Sequence, residues 1–108
     1  MASAYFRIVQ KQAFTSNYTC ARAEVLDLGA YRTLEIEKNV SVAAASGDIV
    51  LEHAAVNEPE FFVTLATLSL TATGAVHSTV SNFLRYVRWR TGSITGTPTG
   101  TVDLIAKE

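Results

Sequence analysis

The stretch "TLEIEKNVSVAAAS", residues 33–46, decides the fold because apolar and polar side chains alternate along it. Successive side chains of a β-strand point to opposite faces, so this alternation predicts a long, half-buried strand. Lys38 interrupts the apolar series, which predicts a bulge or a sheet edge at that position. The apolar series is Leu34, Ile36, Val40, Val42 and Ala44, and the polar series is Glu35, Glu37, Asn39 and Ser41.

The same period of two recurs on both sides of this stretch. After the turn signal at residues 46–48, "GDIVLEHAAV" (47–56) predicts a strand with Ile49, Leu51 and His53 on one face. The closing "TVDLIAKE" (101–108) places Val102, Leu104 and Ala106 on one side. Strands are also predicted at "YFRIVQ" (5–10), at "CARAEVLDLG" (20–29), and at "EFFVTLATLSLTA" (60–72), whose inward face stays open.

A single all-β domain over residues 1–108 accounts for these runs. Glycines punctuate them at the spacing of short connected strands, and "TGSITGTPTGT" (91–101) predicts a long turn before the last strand. No segment has a capped helical period. Seven to nine strands of this kind predict a two-sheet antiparallel sandwich, with jelly-roll-like topology or, alternatively, an immunoglobulin-like one.

Composition excludes several classes of function. The formal net charge is −1, so the chain lacks the basic field of a dedicated nucleic-acid module. Its one cysteine, Cys20, permits no internal disulfide. We find no secretory signal and no apolar window of membrane-spanning length. We therefore expect a soluble protein made in a cytoplasm, with neither nucleic acid nor membrane as a partner.

The stretch "NFLRYVRWRTG", residues 82–92, carries the most distinctive surface chemistry. Its odd-numbered positions Phe83, Val87 and Trp89 form the better inward face. Arg85, which is also odd-numbered, is expected either near a strand end or reaching out of the core by its methylene stem. Its even-numbered positions Tyr86, Arg88 and Arg90 then point outward. One interpretation is a cationic strand face balanced by carboxylates such as Glu35 and Glu37.

The other interpretation is an exposed patch that meets an acidic partner surface. Arginine and tyrosine are enriched at protein interfaces because they combine contact area with directional hydrogen bonds. Tyr86, Arg88 and Arg90 are accordingly our candidate partner-binding residues.

No pattern in the chain predicts catalysis or a bound cofactor. His53 and His77 are the two histidines, and neither has the spacing of a metal-ligand motif. Glu35 and Glu37 alternate on one strand, which is typical of a solvated face rather than a carboxylate pair in a cleft. We expect no enzyme activity, no cofactor and no metal.

The order of three runs resembles small structural proteins of tailed bacteriophages. The runs are "YRTLEIEKNVSVAAASGDIVLEHA", "FFVTLATLSLTATG" and "FLRYVRWRTGSITGTPTGTVDLIAKE", so the resemblance covers residues 31–108. Many relatives carry an Asp-Gly-x-x-Trp hairpin after the Leu-Glu-His strand. Here that place reads "AAVNEPEFF" (54–62), with Phe61 or Phe62 in the tryptophan's position and no Asp-Gly turn. Because this turn is missing, the resemblance assigns no ligand-binding residue in this chain.

The resemblance implies a non-enzymatic component of a virion, assembled in the host cytoplasm. A capsid decoration, or cement, protein fits the short length. Its implied partners are the major capsid protein or another virion protein, and further copies of itself, with a trimer favoured. The alternative is a carbohydrate-binding or host-attachment module of a head fibre or tail, for which a glycan would be the ligand.

Overall fold

The computed structural model describes residues 3–13 and 25–108, and the regular structure of that part is almost entirely β. A single turn of 3-10 helix, Pro59–Phe61, precedes the fifth strand. Within these ranges no helix has the length and apolar character needed to cross a membrane. The strands are β1 Ser3–Ala13, β2 Leu26–Asp27, β3 Thr33–Val42, β4 Asp48–Ala54, β5 Val63–Ser69, β6 Gly74–Ser81, β7 Tyr86–Thr91 and β8 Thr99–Lys107.

The strands form two four-stranded sheets, ordered β1-β8-β3-β6 and β2-β7-β4-β5. Every pair is antiparallel, so the predicted two-sheet antiparallel sandwich is confirmed. The pairs are nested: β4 pairs with β5, β3 with β6, β2 with β7, and β1 with β8. This is the order of a jelly roll, whereas an immunoglobulin-like sheet would place the first two strands side by side.

The first sheet contributes to the core the residues that the alternation predicts. Leu34, Ile36 and Val40 of β3 are at most 1% exposed, and Val102, Leu104 and Ala106 of β8 are equally buried. Val42 was expected on the same face, and that expectation is wrong, because Val42 is 51% exposed. The β3–β8 register shifts between Val40 and Val42, which removes Val42 from the inward series at the strand's end.

Lys38 lies on the inward face, and the predicted bulge or edge at this position is wrong. Strand β3 runs between β8 and β6, and Lys38 pairs in regular register with Val102 and Val76. Its side chain is buried, and Nζ donates a hydrogen bond of 2.6 Å to the carbonyl oxygen of Ser69. A lysine is tolerated here because its methylene stem packs while its ammonium group reaches a backbone acceptor at the end of β5.

The second sheet closes the sandwich. Ile49 and Leu51 of β4 and Val87 and Trp89 of β7 belong to the core, and Phe83 packs partly buried against it. Leu68 of β5 is buried with them, which settles the inward face that the sequence left open.

The remaining strand predictions agree with the described chain. The predicted strand at 5–10 lies within β1, and the long turn occupies residues 92–98 between β7 and β8. The predicted strand at 20–29 is confirmed only as β2, because residues 20–24, including Cys20, lie outside the described residues.

Candidate interaction surface

Strand β7 presents Tyr86, Arg88 and Arg90 on the face opposite the core, as the alternation predicts. Both guanidinium groups are held by one carboxylate. Nε of Arg88 donates to Oε1 of Glu52 at 2.8 Å, and Nε of Arg90 donates to Oε2 at 3.0 Å. The Glu52 side chain is 9% exposed and that of Arg88 is 16% exposed. Arg88 therefore stabilises the fold from a largely buried position, whereas the side chain of Arg90 is 37% exposed and can also contact a partner.

The carboxylate that balances the arginines is not one of those we expected. Glu52 belongs to β4, which pairs with β7 and places Glu52 directly opposite Arg88. Glu35 and Glu37 belong to β3 in the other sheet, and Glu35 forms an ion pair of 3.0 Å with Lys107. The expectation of a balanced strand face is correct in kind, and its assignment to Glu35 and Glu37 is wrong because sheet partners cannot be read from period two.

Two aromatic rings near these arginines already have a cation above them. The Arg88 guanidinium carbon lies 4.2 Å from the centroid of the Phe62 ring, and that of Arg85 lies 5.1 Å from the Tyr86 centroid. Such cation–π contacts stabilise both partners. One face of each ring is thereby covered, which works against the stacking platform that the carbohydrate-binding alternative requires.

Arg85 lies just before β7 and is paired with Asp27, the last residue of β2. Its Nε donates a hydrogen bond of 2.9 Å to Oδ1 of Asp27, and its Nη2 donates one of 2.9 Å to Oδ2. The backbone N–H of Gly29 also donates to this carboxylate, at 3.2 Å. The hydrogen bonds from Arg85, and then that from Gly29, lower the pKa of Asp27, and the same pairing raises the pKa of Arg85. The pair positions Arg85 at the surface, with both side chains at least half exposed.

Four exposed apolar residues, which we call the end patch, lie near the carboxyl end of β4. The end patch consists of Val56, Phe61, Val63 and Leu84, which are between 42% and 56% exposed. His53 connects its parts, because His53 pairs with Val63 across the strands and its Nδ1 accepts a 3.0 Å hydrogen bond from the Leu84 N–H. Tyr86 pairs with Ala54 at the same end of the sheet. Sequence reasoning missed the end patch because it predicts apolar residues to be core.

Strand β6 is the second surface that sequence reasoning missed. Seven of its eight residues are exposed, including Val76 at 54%. It lies at the end of its sheet, and no other described strand pairs with its outer edge. Its sequence "GAVHSTVS" has weak alternation and only two apolar residues larger than alanine, so it gave no distinct signal as a strand.

An open depression lies on the outer face of the first sheet, where Glu37, Asn39, His77 and Asp103 are among the lining residues. Within residues 3–13 and 25–108, no three histidine, cysteine, aspartate or glutamate residues are arranged to hold a metal ion.

Comparison with known proteins gives one kind of match. No family model matches the chain, and no curated protein matches it. Among solved structures, the crystal structure of the SPBc2 prophage-derived protein YomS is similar, with a TM-score of 0.58 and 18% sequence identity. The match covers 97% of this chain and 92% of that one. At this identity the likeness shows a shared fold over essentially the whole length of both proteins.

Proposed function

We propose that this chain is a non-enzymatic structural protein of a bacteriophage particle, and more specifically a decoration protein that attaches to the head. The whole-length likeness of its fold to a prophage-derived protein carries the proposal. The small sandwich is filled by its own core, and its described surface carries exposed apolar side chains that suit protein contacts. The sequence resemblance over residues 31–108 points in the same direction.

The end patch and the neighbouring Tyr86 are the contact surface in this proposal. Exposed apolar clusters rimmed by polar groups mark protein–protein interfaces, and aromatic and arginine side chains contribute most of the binding energy in such places. Arg85, which follows Leu84 in the chain, supplies positive charge beside the patch, and an acidic surface of the major capsid protein or another virion protein would complement it. Binding across capsomer boundaries would then add apolar burial that must be undone before the shell opens.

The test uses particles of the phage whose genome carries the gene. Deleting the gene should yield heads that release DNA at lower temperature, and adding the purified protein should restore the wild-type temperature. The protein should sediment with the heads in a fixed copy number.

Variants locate the contact surface. Phe61→Ser combined with Leu84→Ser should abolish sedimentation with heads. Val42→Ser, which alters an equally exposed valine outside the end patch, should leave it unchanged. Heads that neither contain the protein nor respond to it would overturn the proposal, and equal binding by the double variant would overturn the assignment to the end patch.

A further inference from the structure

Strand β6 differs from the other three strands that end the two sheets. The β1–β8 ladder contains two register shifts, β5 contains one against β4, and β2 is two residues long. These are the irregularities by which sheet edges avoid pairing with other chains. The β3–β6 ladder instead runs through eight consecutive pairs, from Thr33 opposite Ser81 to Val40 opposite Gly74, without a shift.

The side chains of β6 add no obstacle to pairing. Residues 74–81 contain no charged residue and no proline, which are the other common protections of an edge. Along this regular strand the backbone groups that point away from β3 have no partner among the described strands. The edge is a template for one more strand, and a strand added there needs no charge of its own.

We infer that β6 pairs antiparallel with β6 of a second copy of this chain, about a twofold axis at Ser78. The inference is independent of any role in a virion. Val76, Ser78 and Val80 lie on the core side of β6, because they pair with Lys38, Ile36 and Leu34. When the β6-containing sheets of two copies join into one, each core-side residue must lie opposite a core-side residue of the other copy, so that the inward face continues across the junction.

The register centred on Ser78 satisfies this condition and buries apolar surface. Val76 of each copy lies opposite Val80 of the other, twice by symmetry, and His77 lies opposite Thr79. The register centred on His77 would place two imidazoles face to face and would leave Val76 opposite Ser78. No like charges meet in the Ser78 register, so a second copy suits this edge. The β1-β8-β3-β6 sheets of the two copies then form one continuous sheet of eight strands across the twofold axis.

Charge placed at the axis tests the inference with the isolated protein. In sedimentation velocity over a range of micromolar concentrations, the wild type should show a reversible monomer–dimer equilibrium. Ser78→Lys and Ser78→Glu should each weaken the dimer by at least about tenfold, because each places like charges directly opposite. An equimolar mixture of the two variants should restore the dimer, which only a contact of Ser78 with itself predicts.

Thr67→Lys on the exposed edge strand β5 is the matched control and should leave the dimer unchanged. The fluorescence of Trp89, which is buried in the core, verifies that each variant is folded. As a second measurement, Ser78→Cys in a Cys20→Ser background should form a disulfide-linked dimer, since directly opposite Cβ atoms lie about 4.5–5.5 Å apart.

Three results would overturn the inference. They are a wild type that stays monomeric throughout, an oligomer that Ser78→Lys leaves intact, and a mixture of variants that stays monomeric. A trimer insensitive to position 78 would assign self-association to another surface, such as the end patch.

Discussion

Strands β7 and β6 differ in how many of their side-chain and backbone groups already have partners within the fold. β7 has arginines and aromatic rings, but Arg88 and Arg90 share the carboxylate of Glu52, and Phe62 lies against Arg88. It also pairs with β4 over its whole length and with β2 at Tyr86 and Val87. β6 has small, uncharged side chains and exposed backbone along a regular edge. Binding capacity thus depends on which groups the fold has left unsatisfied, and not on how distinctive the residues are.

The largest effect should come from removing the Glu52 carboxylate that binds Arg88 and Arg90 of β7. Glu52→Gln leaves Arg88 largely buried without its counter-charge, so we expect the free energy of unfolding to fall by roughly 3 kcal/mol. Urea denaturation followed by Trp89 fluorescence measures it. Glu35→Gln is the matched control, because its pair with Lys107 is more exposed and should cost less than about 1 kcal/mol. Equal losses in the two variants would mean that Glu52 does not hold the arginines in place.

The same substitution made in both strands should give unequal losses. Val87→Thr buries a hydroxyl at a position that is 0% exposed, and we expect a loss of about 1–3 kcal/mol. Val76→Thr changes a residue that is 54% exposed, and monomer stability should stay within about 0.5 kcal/mol. Denaturation at a concentration that keeps the protein monomeric isolates this difference. A large loss in Val76→Thr would show that β6 is covered.

A smaller effect is expected at Lys38, on strand β3 beside β6. Lys38→Met keeps the packed side-chain stem and removes the hydrogen bond to the Ser69 carbonyl oxygen. Because Ser69 is exposed, its carbonyl oxygen can accept a hydrogen bond from water instead. The change in the free energy of unfolding should stay within about 1 kcal/mol. Lys38→Ala also removes the stem and should cost more than the methionine variant. The reverse order of the two variants would assign the stabilisation to the charge.

The smallest effect should be at Asp27 and should depend on pH. Pairing with Arg85 lowers the pKa of Asp27 in the folded state, so the pair stabilises the fold above the unfolded-state pKa of about 3.9. This stabilisation is lost as the pH falls through the lower, folded-state pKa. Asp27→Asn should therefore be slightly less stable than the wild type near neutral pH, and the difference should vanish in acid. A difference that grows on acidification would contradict this account of the pair.

Period-two alternation was sufficient to predict the core and the sandwich. Ile36, Leu104 and Trp89 are buried where alternation places them, because a sandwich imposes one inward face on each strand. Alternation failed where the answer depends on which strands are neighbours. It could not pair Glu52 with Arg88, because this contact joins residues that are 36 positions apart. It also could not show that Val76 and Phe61 are exposed, since an apolar residue looks the same in sequence whether or not a second sheet covers it.

Hydrogen exchange of the backbone amides tests the central contrast between β7 and β6 most directly. At a dilution that keeps the protein monomeric, the amides of β7 that point toward β4 should be protected, and so should those at the start of β7 that pair with β2. In β6, alternate amides should be protected by β3, and those between them should exchange rapidly. Raising the concentration should then protect the second set in β6 without altering β7. Uniform protection of β6 at high dilution, or rapid exchange throughout β7, would contradict the account.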